Sequence, residues 1–299
     1  MEGREKYIGG SDCAAILGLS RWSTPLQVWA EKTGNIIPED ISDRIPVEVG
    51  NELEDYVARK FAKETGKKVR RVNDTIYHPQ HPFIAAHIDR RIVGEEEGLE
   101  CKTASAYKAR EWDGEEIPQE YILQCMHYLA VTGAKRWYIA CLIGNHAFKW
   151  KVIERDEAVI SSILQKEVDF WKNYIEPKVM PCIITASDSD TLYQLYPVAE
   201  EGSNIELGDE ADRLIENVNS LYADYKSIER QMEKLKNELK AMLKESVRGE
   251  TGKNIITWKV QSTERIDVQR LKDEQPKIFK RYIKTSDSRV LRYRGKKEE

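Results

Sequence analysis

No run of roughly eighteen or more apolar residues occurs in this 299-residue chain, and the start, Met1-Glu2-Gly3-Arg4-Glu5-Lys6, lacks the apolar segment of a secretory signal. A soluble, cytoplasmic protein with no membrane partner is the expectation. The five cysteines, Cys13, Cys101, Cys125, Cys141 and Cys182, form no C-x-x-C pair and have no histidines grouped with them in sequence. That argues against zinc and against an iron–sulfur cluster, and an odd number disfavours a disulfide framework. Cysteines isolated in apolar runs read as small core residues. An overall basic charge is also missing: the net charge of -4 and pI of about 5.9 give no general signature of nucleic-acid binding.

Charge is nevertheless unevenly spread. Lys259 to Glu299 holds thirteen Lys/Arg and seven Asp/Glu, a local balance of +6, which leaves -10 on the residues before it. An acidic body with a basic tail fits local DNA binding beside carboxylates gathered around metal ions, although a solvated charged tail has the same composition. The length allows a substantial core and suits one large domain with a smaller appendage.

Along the chain, Ile8-Gly9-Gly10-Ser11-Asp12-Cys13-Ala14-Ala15-Ile16-Leu17-Gly18 reads as a glycine turn, a Ser/Asp helix cap, a short apolar helix and a glycine stop. A second helix is expected from Pro25 to Lys32. A third starts near Gly50 and ends near Gly66, with Leu53, Val57 and Phe61 on its buried stripe. Val69 to Tyr77 and Phe83 to Val93 read as strands, and Gly94 to Gly98 as a hairpin loop returning through Leu99-Glu100-Cys101-Lys102-Thr103. Pro118 to Val131 is apolar on nearly every helical face, hence buried. Arg136 to Ile143 and Phe148 to Ile153 form another hairpin, and Asp156 caps a helix running to about Ile175. This order predicts an α/β or α+β core, a mixed sheet flanked by helices, over residues 1–176.

Residues 177–208 read as a linker and 209–299 as an appended unit. Within that unit Leu214, Val218, Leu221, Tyr225, Ile228, Met232, Leu235, Leu239 and Met242 form a heptad seam, free to pack on a second subunit, on a partner or on its own chain. Asn254 to Val260 and Arg289 to Arg294 are expected as strands of a small basic unit. No internal repeat is present.

The chemistry concentrates at Asp89 and at Glu100-Cys101-Lys102. Side chains at i and i+2 of a strand share a face, so Glu100 and Lys102 project together and Cys101 points away. A hairpin would bring Asp89 alongside. Two converging carboxylates offer hard oxygen ligands for Mg²⁺ or Mn²⁺, with the Cys101 backbone carbonyl as a further ligand. A lysine there can orient or deprotonate the attacking water and offset charge on a phosphorane-like transition state. Taken alone, an acid-x-lysine pair reads first as a surface salt bridge. Here the ionisable groups emerge from the apolar runs Phe83-Ile84-Ala85-Ala86 and Gly98-Leu99, and buried charges need partners or metal. Glu54 flanks its helix's buried stripe and can reach inward as a third carboxylate, or stand as an ordinary surface glutamate. Gln124, inside a buried helix, needs partners for its amide, in a site or simply in the core.

These residues match a known pattern. From about Arg4 to Ile175 the chain resembles the YqaJ-type viral recombinases, relatives of the phage lambda exonuclease within the PD-(D/E)xK nuclease superfamily. Four motifs occur in the family's order: Ile8-Gly9-Gly10-Ser11-Asp12, Gly50-Asn51-Glu52-Leu53-Glu54, Asp89 with Gly98-Leu99-Glu100-Cys101-Lys102, and Tyr121-Ile122-Leu123-Gln124 leading to Val131-Thr132-Gly133. A fifth, Val152-Ile153-Glu154-Arg155-Asp156-Glu157, resembles the segment opening the last core helix.

The resemblance implies a restriction-endonuclease-like core. It implies that Asp89 and Glu100 bind metal, that Lys102 assists the nucleophilic water, that Glu54 holds a metal or its water, and that Gln124 supports the site. Ser11 belongs to the family's motif for a 5′-terminal phosphate, and Arg4 stands where the lambda-type enzyme has a phosphate-binding arginine; helix capping is the plainer role for Ser11. The implied activity is Mg²⁺-dependent 5′-to-3′ degradation of one strand of linear duplex DNA, handing a 3′ single strand to an annealing protein. A ring-shaped trimer would make this processive, in a phage or prophage protein of a bacterial cytoplasm. Two other functions fit the same residues: a structure-specific endonuclease and a non-catalytic recombination scaffold. This chain departs from the superfamily pattern in having Arg90 where glycine is usual after the first aspartate, and in the carboxylates Glu95 to Glu97. The heptad helix and basic tail have no counterpart in the minimal lambda-type enzyme.

Overall fold

Strand β6 (Arg136–Ile143) is buried along nearly its whole length, and the architecture is layered on its two faces. The computed structural model describes residues 3–294 other than 115, 183 and 287. It divides into two units, Met1–Pro197 and Val198–Glu299, each taken by itself below.

In the first unit a five-stranded mixed sheet has the order β1 (Val69–Arg71), β4 (Arg90–Ile92), β5 (Glu97–Ala104), β6 and β7 (Ala147–Glu154). Only β5 and β6 run parallel, and the crossover joining them carries helix α4 (Gln119–Thr132), as a parallel pair requires. Trp137, Ile139, Cys141 and Ile143 face one side of β6, in a core with Leu123, Met126 and Leu129 of α4, Cys13 and Ala14 of α1 (Gly10–Ile16), and Ile160 and Ile163 of α5 (Glu157–Phe170). Tyr138 and Ala140 face the other side, against Val57, Ala58 and Phe61 of α3 (Ile45–Thr65) and Leu99 of β5. A third cluster joins Leu26, Val28 and Trp29 of α2 (Pro25–Lys32) to Ile8, Phe170 and Ile175. The mixed α/β core expected from the element order is therefore the observed one.

Helix ends follow their residues. Asp156 caps α5 by accepting from the amides of Ala158 and Val159, at 2.9 and 3.1 Å. Gly66 ends α3 in the left-handed region at φ 73°. The α1 cap differs from expectation: Gly9 is the N-cap, and its amide donates to Asp12 Oδ2 at 2.9 Å. Ser11 lies inside the first turn, and its hydroxyl accepts instead from Arg4.

Two long strands expected from sequence are each broken. Val69 to Tyr77 splits into β1 and β2 (Ile76–Tyr77), and Phe83 to Val93 into β3 (Ala85–Ala86) and β4. β2 and β3 pair in a ribbon of their own. The second break falls at the bend containing Asp89, which aims a side chain, instead of the backbone, at the edge of β5.

The expected linker is also shorter than 177–208. Within it, helix α6 (Ser189–Leu195) packs Leu192 and Leu195 on the α2 cluster. Asp188, fully buried, accepts from Thr24 Oγ1 and from the Thr185 amide at 2.6 Å, so this stretch belongs to the first unit.

The second unit contains the expected long helix α7 (Asp209–Leu243), and its seam residues, Leu214 to Met242, are exposed. Strands β8 (Arg248–Glu250) and β9 (Ile255–Thr257) form a hairpin, followed by short helices α8 (Val268–Glu274) and α9 (Pro276–Tyr282). Among the described residues Arg289 to Arg294 forms no strand, contrary to expectation. Among the described residues no helix is long and apolar enough to cross a membrane.

Candidate active site

On β5 the alternation places Gly98, Glu100 and Lys102 on the face that carries Trp137, its register partner being Gly98. A Cβ on Gly98 would sit 2.3 Å from the Trp137 indole, so only glycine lets that ring lie across the strand at the entry to the Glu-Cys-Lys segment. Lys102 Nζ lies 2.6 Å from Glu100 Oε1 and donates to Gln124 Oε1 at 3.1 Å. Gln124 Nε2 donates to Glu100 Oε1 at 2.9 Å and to the Tyr128 hydroxyl at 2.6 Å. Gln124 is thus held from three sides, with its carbonyl on the lysine and its amide on the carboxylate and the phenol.

Asp89 completes the cluster from the bend before β4. Its Oδ2 accepts from the Cys101 amide at 2.7 Å. The pairing of β4 with β5 ends at Leu99, so this carboxylate occupies the edge position that a further strand residue would fill. The carbonyl of an extended residue points to the same edge as its amide, which turns the Cys101 carbonyl towards Asp89 as well.

Glu54 approaches from α3 but is held by a partner the sequence did not suggest. Arg90 donates through Nη1 to Glu54 Oε1 and, at 2.8 Å, to the Asp89 carbonyl, while its Nη2 lies 3.5 Å from Asp55. Arg90 is itself buried. Arg90 therefore ties α3 to the bend bearing Asp89.

The electrostatics are those of carboxylates crowded away from water. Burial and the neighbouring Glu100 push the Asp89 pKa well up, against the pull of the Cys101 amide and Lys102. Burial would lower the Lys102 pKa, but Glu100 and Asp89 outweigh it and the net shift is upward, so the side chain is an ammonium. Glu100 Oε2 is buried with no hydrogen-bond donor among the described residues. An orphaned carboxylate oxygen beside a second carboxylate that resists ionisation fits a divalent cation of the hard, oxygen-seeking kind.

A second group of ligand-type atoms lies elsewhere in the same unit, where sequence spacing gave no sign of it. Cys13, His127 and Glu167 place theirs within 4.8 Å of one another, all buried. His127 Nδ1 faces Glu167 Oε1 at 2.8 Å and Nε2 faces the Ala85 carbonyl at 2.9 Å. A carboxylate and a carbonyl on the two ring nitrogens favour the doubly protonated imidazolium, which has no lone pair for a metal ion. Burial pulls the His127 pKa down, yet Glu167 and the Ala85 carbonyl carry it above its ordinary value, in agreement with that pairing. Burial and Glu167 raise the Cys13 pKa strongly, which leaves an inert thiol. Cys125 and Cys141 are buried as expected of core residues; Cys101 is half-buried and Cys182 exposed.

Arg4 and Ser11 come together: Arg4 Nη2 donates to Ser11 Oγ at 2.8 Å in an exposed position. Lys32, not anticipated from sequence, lies behind them, its Nζ 2.6 Å from Asp12 Oδ2 and 2.8 Å from the Arg4 carbonyl. Gly10 links the two regions, since a Cβ there would meet Tyr128 at 2.6 Å and Gln124 at 3.2 Å. The acidic loop is paired rather than merely solvated: Lys67 reaches Glu95 and Glu97, and Lys135 reaches Glu96. Tyr128 and Arg90, like Lys32, are residues of these regions that sequence reasoning missed. The first had a signal, its four-residue spacing from Gln124 on one helical face.

Comparison with known proteins gives a consistent picture. The model of the YqaJ-like viral recombinase domain matches residues 1–135. The uncharacterized protein YqaJ of Bacillus subtilis (strain 168) is 38% identical over 289 residues, covering 96% of this chain and 90% of that protein. Among solved structures, the alkaline exonuclease LHK-Exo of Laribacter hongkongensis shares the fold with a TM-score of 0.50 at 19% identity, over 59% of this chain and 91% of that one. Its complex with dAMP gives a TM-score of 0.51 at 21% identity over the same shares.

Proposed function

Because the chain belongs to the YqaJ-like viral recombinases, we propose that it is a metal-dependent deoxyribonuclease of DNA recombination, working on linear duplex DNA from a 5′ end. The observation that carries the reading is the cluster of Asp89, Glu100, Lys102 and Gln124, with its buried, donor-less Glu100 oxygen. Asp89 and Glu100 would hold Mg²⁺, or Mn²⁺ in its place, with the Cys101 backbone carbonyl and Glu54 as further oxygen donors. In a two-metal phosphodiester hydrolysis the bound ions supply Lewis acidity and a more acidic water.

The chain's own residues do the rest. Lys102, an ammonium, orients the attacking water by hydrogen bonding and offsets negative charge developing on the phosphate oxygens. Gln124 fixes the lysine and Glu100 relative to each other, and Tyr128 fixes Gln124. Arg90 holds Glu54 at the margin of the cluster. Arg4 and Ser11 offer a cation and a hydroxyl to a terminal 5′-phosphate, and the product strand would pass to a single-strand annealing protein. A homo-oligomer, a ring-shaped trimer by analogy with the lambda-type enzyme, would hold the enzyme on its DNA.

Digestion of end-labelled linear duplexes differing only in 5′-phosphorylation, beside a closed circle, tests this reading. Loss of nucleotides from 5′-phosphorylated strands alone is expected. Cutting of the closed circle would favour a structure-specific endonuclease, and survival of every substrate a non-catalytic scaffold.

A further inference from the structure

Trp22 is 61% exposed at the tip of the loop between α1 and α2. That is a large apolar surface to leave in water, and the loop is built to hold it there. Ser20 Oγ accepts from the amides of Trp22 and Ser23, at 3.0 and 3.3 Å, and closes the turn. Arg21 then pins the loop to the rest of the unit, donating to both oxygens of Glu111 at 3.0 and 3.1 Å and to Glu120 at 2.8 Å.

Two cations frame the indole. Lys108 Nζ lies 4.5 Å from the ring centroid and the Arg21 guanidinium carbon 5.5 Å from it. Arg21 is held by its two glutamates, whereas Lys108 makes no direct ion pair among the described residues and acts on Glu111 only at longer range, which leaves its ammonium able to turn to a phosphate. Its chain neighbour Tyr107 is 99% exposed.

The anchor of this loop is also a wall of the candidate active site. Glu120, which holds Arg21, is followed on α4 by Tyr121, whose ring centroid lies 5.0 Å from Lys102 Nζ. Tyr121 in turn stacks on Trp112, the end of the segment that carries Tyr107 and Lys108. An exposed indole, a lysine lying over its face that a base can displace, and a chain of aromatic contacts leading to Lys102 are the elements of a platform for single-stranded nucleic acid. Bases stack on the ring while the cation takes the backbone.

We propose that Trp22, framed by Lys108 and Arg21, is a stacking platform for a nucleobase of the DNA strand that enters the site of Asp89, Glu100 and Lys102. The inference rests on the nuclease reading for its substrate. Stacking there would hold the terminal base out of the duplex and keep the strand in register with the cluster.

The test uses the full-length protein with a linear duplex whose terminal thymine is replaced by 5-iodouracil, in chelator so that no cleavage competes. Irradiation is expected to yield a peptide adduct at Trp22, located by mass spectrometry. Trp22→Ala should weaken binding to the duplex end by at least about five-fold, and Trp22→Phe, which keeps an aromatic face, should restore most of it. Binding of Trp22→Ala at wild-type affinity, or adducts confined to other residues, would overturn the proposal. Cleavage by the wild type in Mg²⁺ is scored separately: cleavage without a Trp22 adduct sinks the platform alone, and an adduct without cleavage sinks the nuclease reading alone.

Discussion

Lys102 Nζ sits 2.6 Å from Glu100 Oε1, two positions along the same strand face, and both are clasped by the amide of Gln124. Glu100 is buried and Lys102 half-buried, and the second carboxylate oxygen of Glu100 has no donor among the described residues. An unpaired buried acceptor costs about 1–3 kcal/mol, a cost also met at Glu167 Oε2 beside His127; what sets Glu100 apart is the second carboxylate, Asp89, next to it. Under the proposed reading that oxygen of Glu100 would face a cation, with the Lys102 ammonium beside it on the other carboxylate oxygen.

Lys102→Ala and Gln124→Ala should therefore reduce strand cleavage by at least about 100-fold while duplex binding stays within a few-fold of wild type. Tyr128→Phe, which only removes the acceptor behind Gln124, should fall between these variants and wild type. Single-turnover cleavage and a binding titration in chelator separate the effects. Normal turnover in Lys102→Ala would remove the lysine from the mechanism.

Arg90 carries a second expectation. It is a buried guanidinium whose partners are the Glu54 carboxylate and the Asp89 carbonyl. Arg90→Met should cost about 3 kcal/mol of unfolding free energy, because it strands the partners of a largely buried pair. Arg90→Lys, which keeps the charge but not the fork, should lie between the two. A denaturant midpoint unchanged in Arg90→Met would show that the pair contributes nothing to tying α3 to β4.

The His127 and Glu167 pair gives stability a pH dependence. The folded-state pKa of His127 is raised above its ordinary 6.5 by Glu167 and the Ala85 carbonyl, despite burial. A raised pKa contributes stability that is fully present below 6.5 and is lost as pH rises through the folded-state value. The melting-temperature gap between wild type and His127→Gln should accordingly narrow as pH rises above 6.5 and through the folded-state value. A gap that widened over that range would mean that His127 is neutral in the folded protein.

End recognition is testable on its own. Arg4→Ala should reduce the preference for 5′-phosphorylated over 5′-hydroxyl duplexes by about ten-fold, the worth of one charge-assisted hydrogen bond. An unchanged preference would place the terminal phosphate elsewhere.

Much of this was legible in local pattern. The i, i+2 geometry of Glu100 and Lys102 and the heptad helix follow from periodicities of two and three and a half residues, and the burial of α4 and the Asp156 cap from local composition, all of which a sequence displays directly. What escaped depends on pairing across long separations. Arg90 meets Glu54 over 36 residues, and His127 meets Glu167 over 40, with nothing in either neighbourhood to announce it. The break at Asp89 escaped because the run around it has strand composition; it is the carboxylate, bonding the Cys101 amide, that takes the place of the ladder. Ser11 was expected to cap α1 for a similar reason: Asp12 is as good an acceptor one residue on, and it is the one that reaches the Gly9 amide.

The central claim is that Asp89, Glu100 and Lys102 form a metal-dependent hydrolytic site. It is tested most directly by following an end-labelled linear duplex with the purified protein in Mg²⁺ and in excess chelator, beside Asp89→Ala. Progressive nucleotide release by the wild type in Mg²⁺ only, with none from Asp89→Ala, is the predicted result. Release that persists in chelator, or that survives in Asp89→Ala, would contradict it.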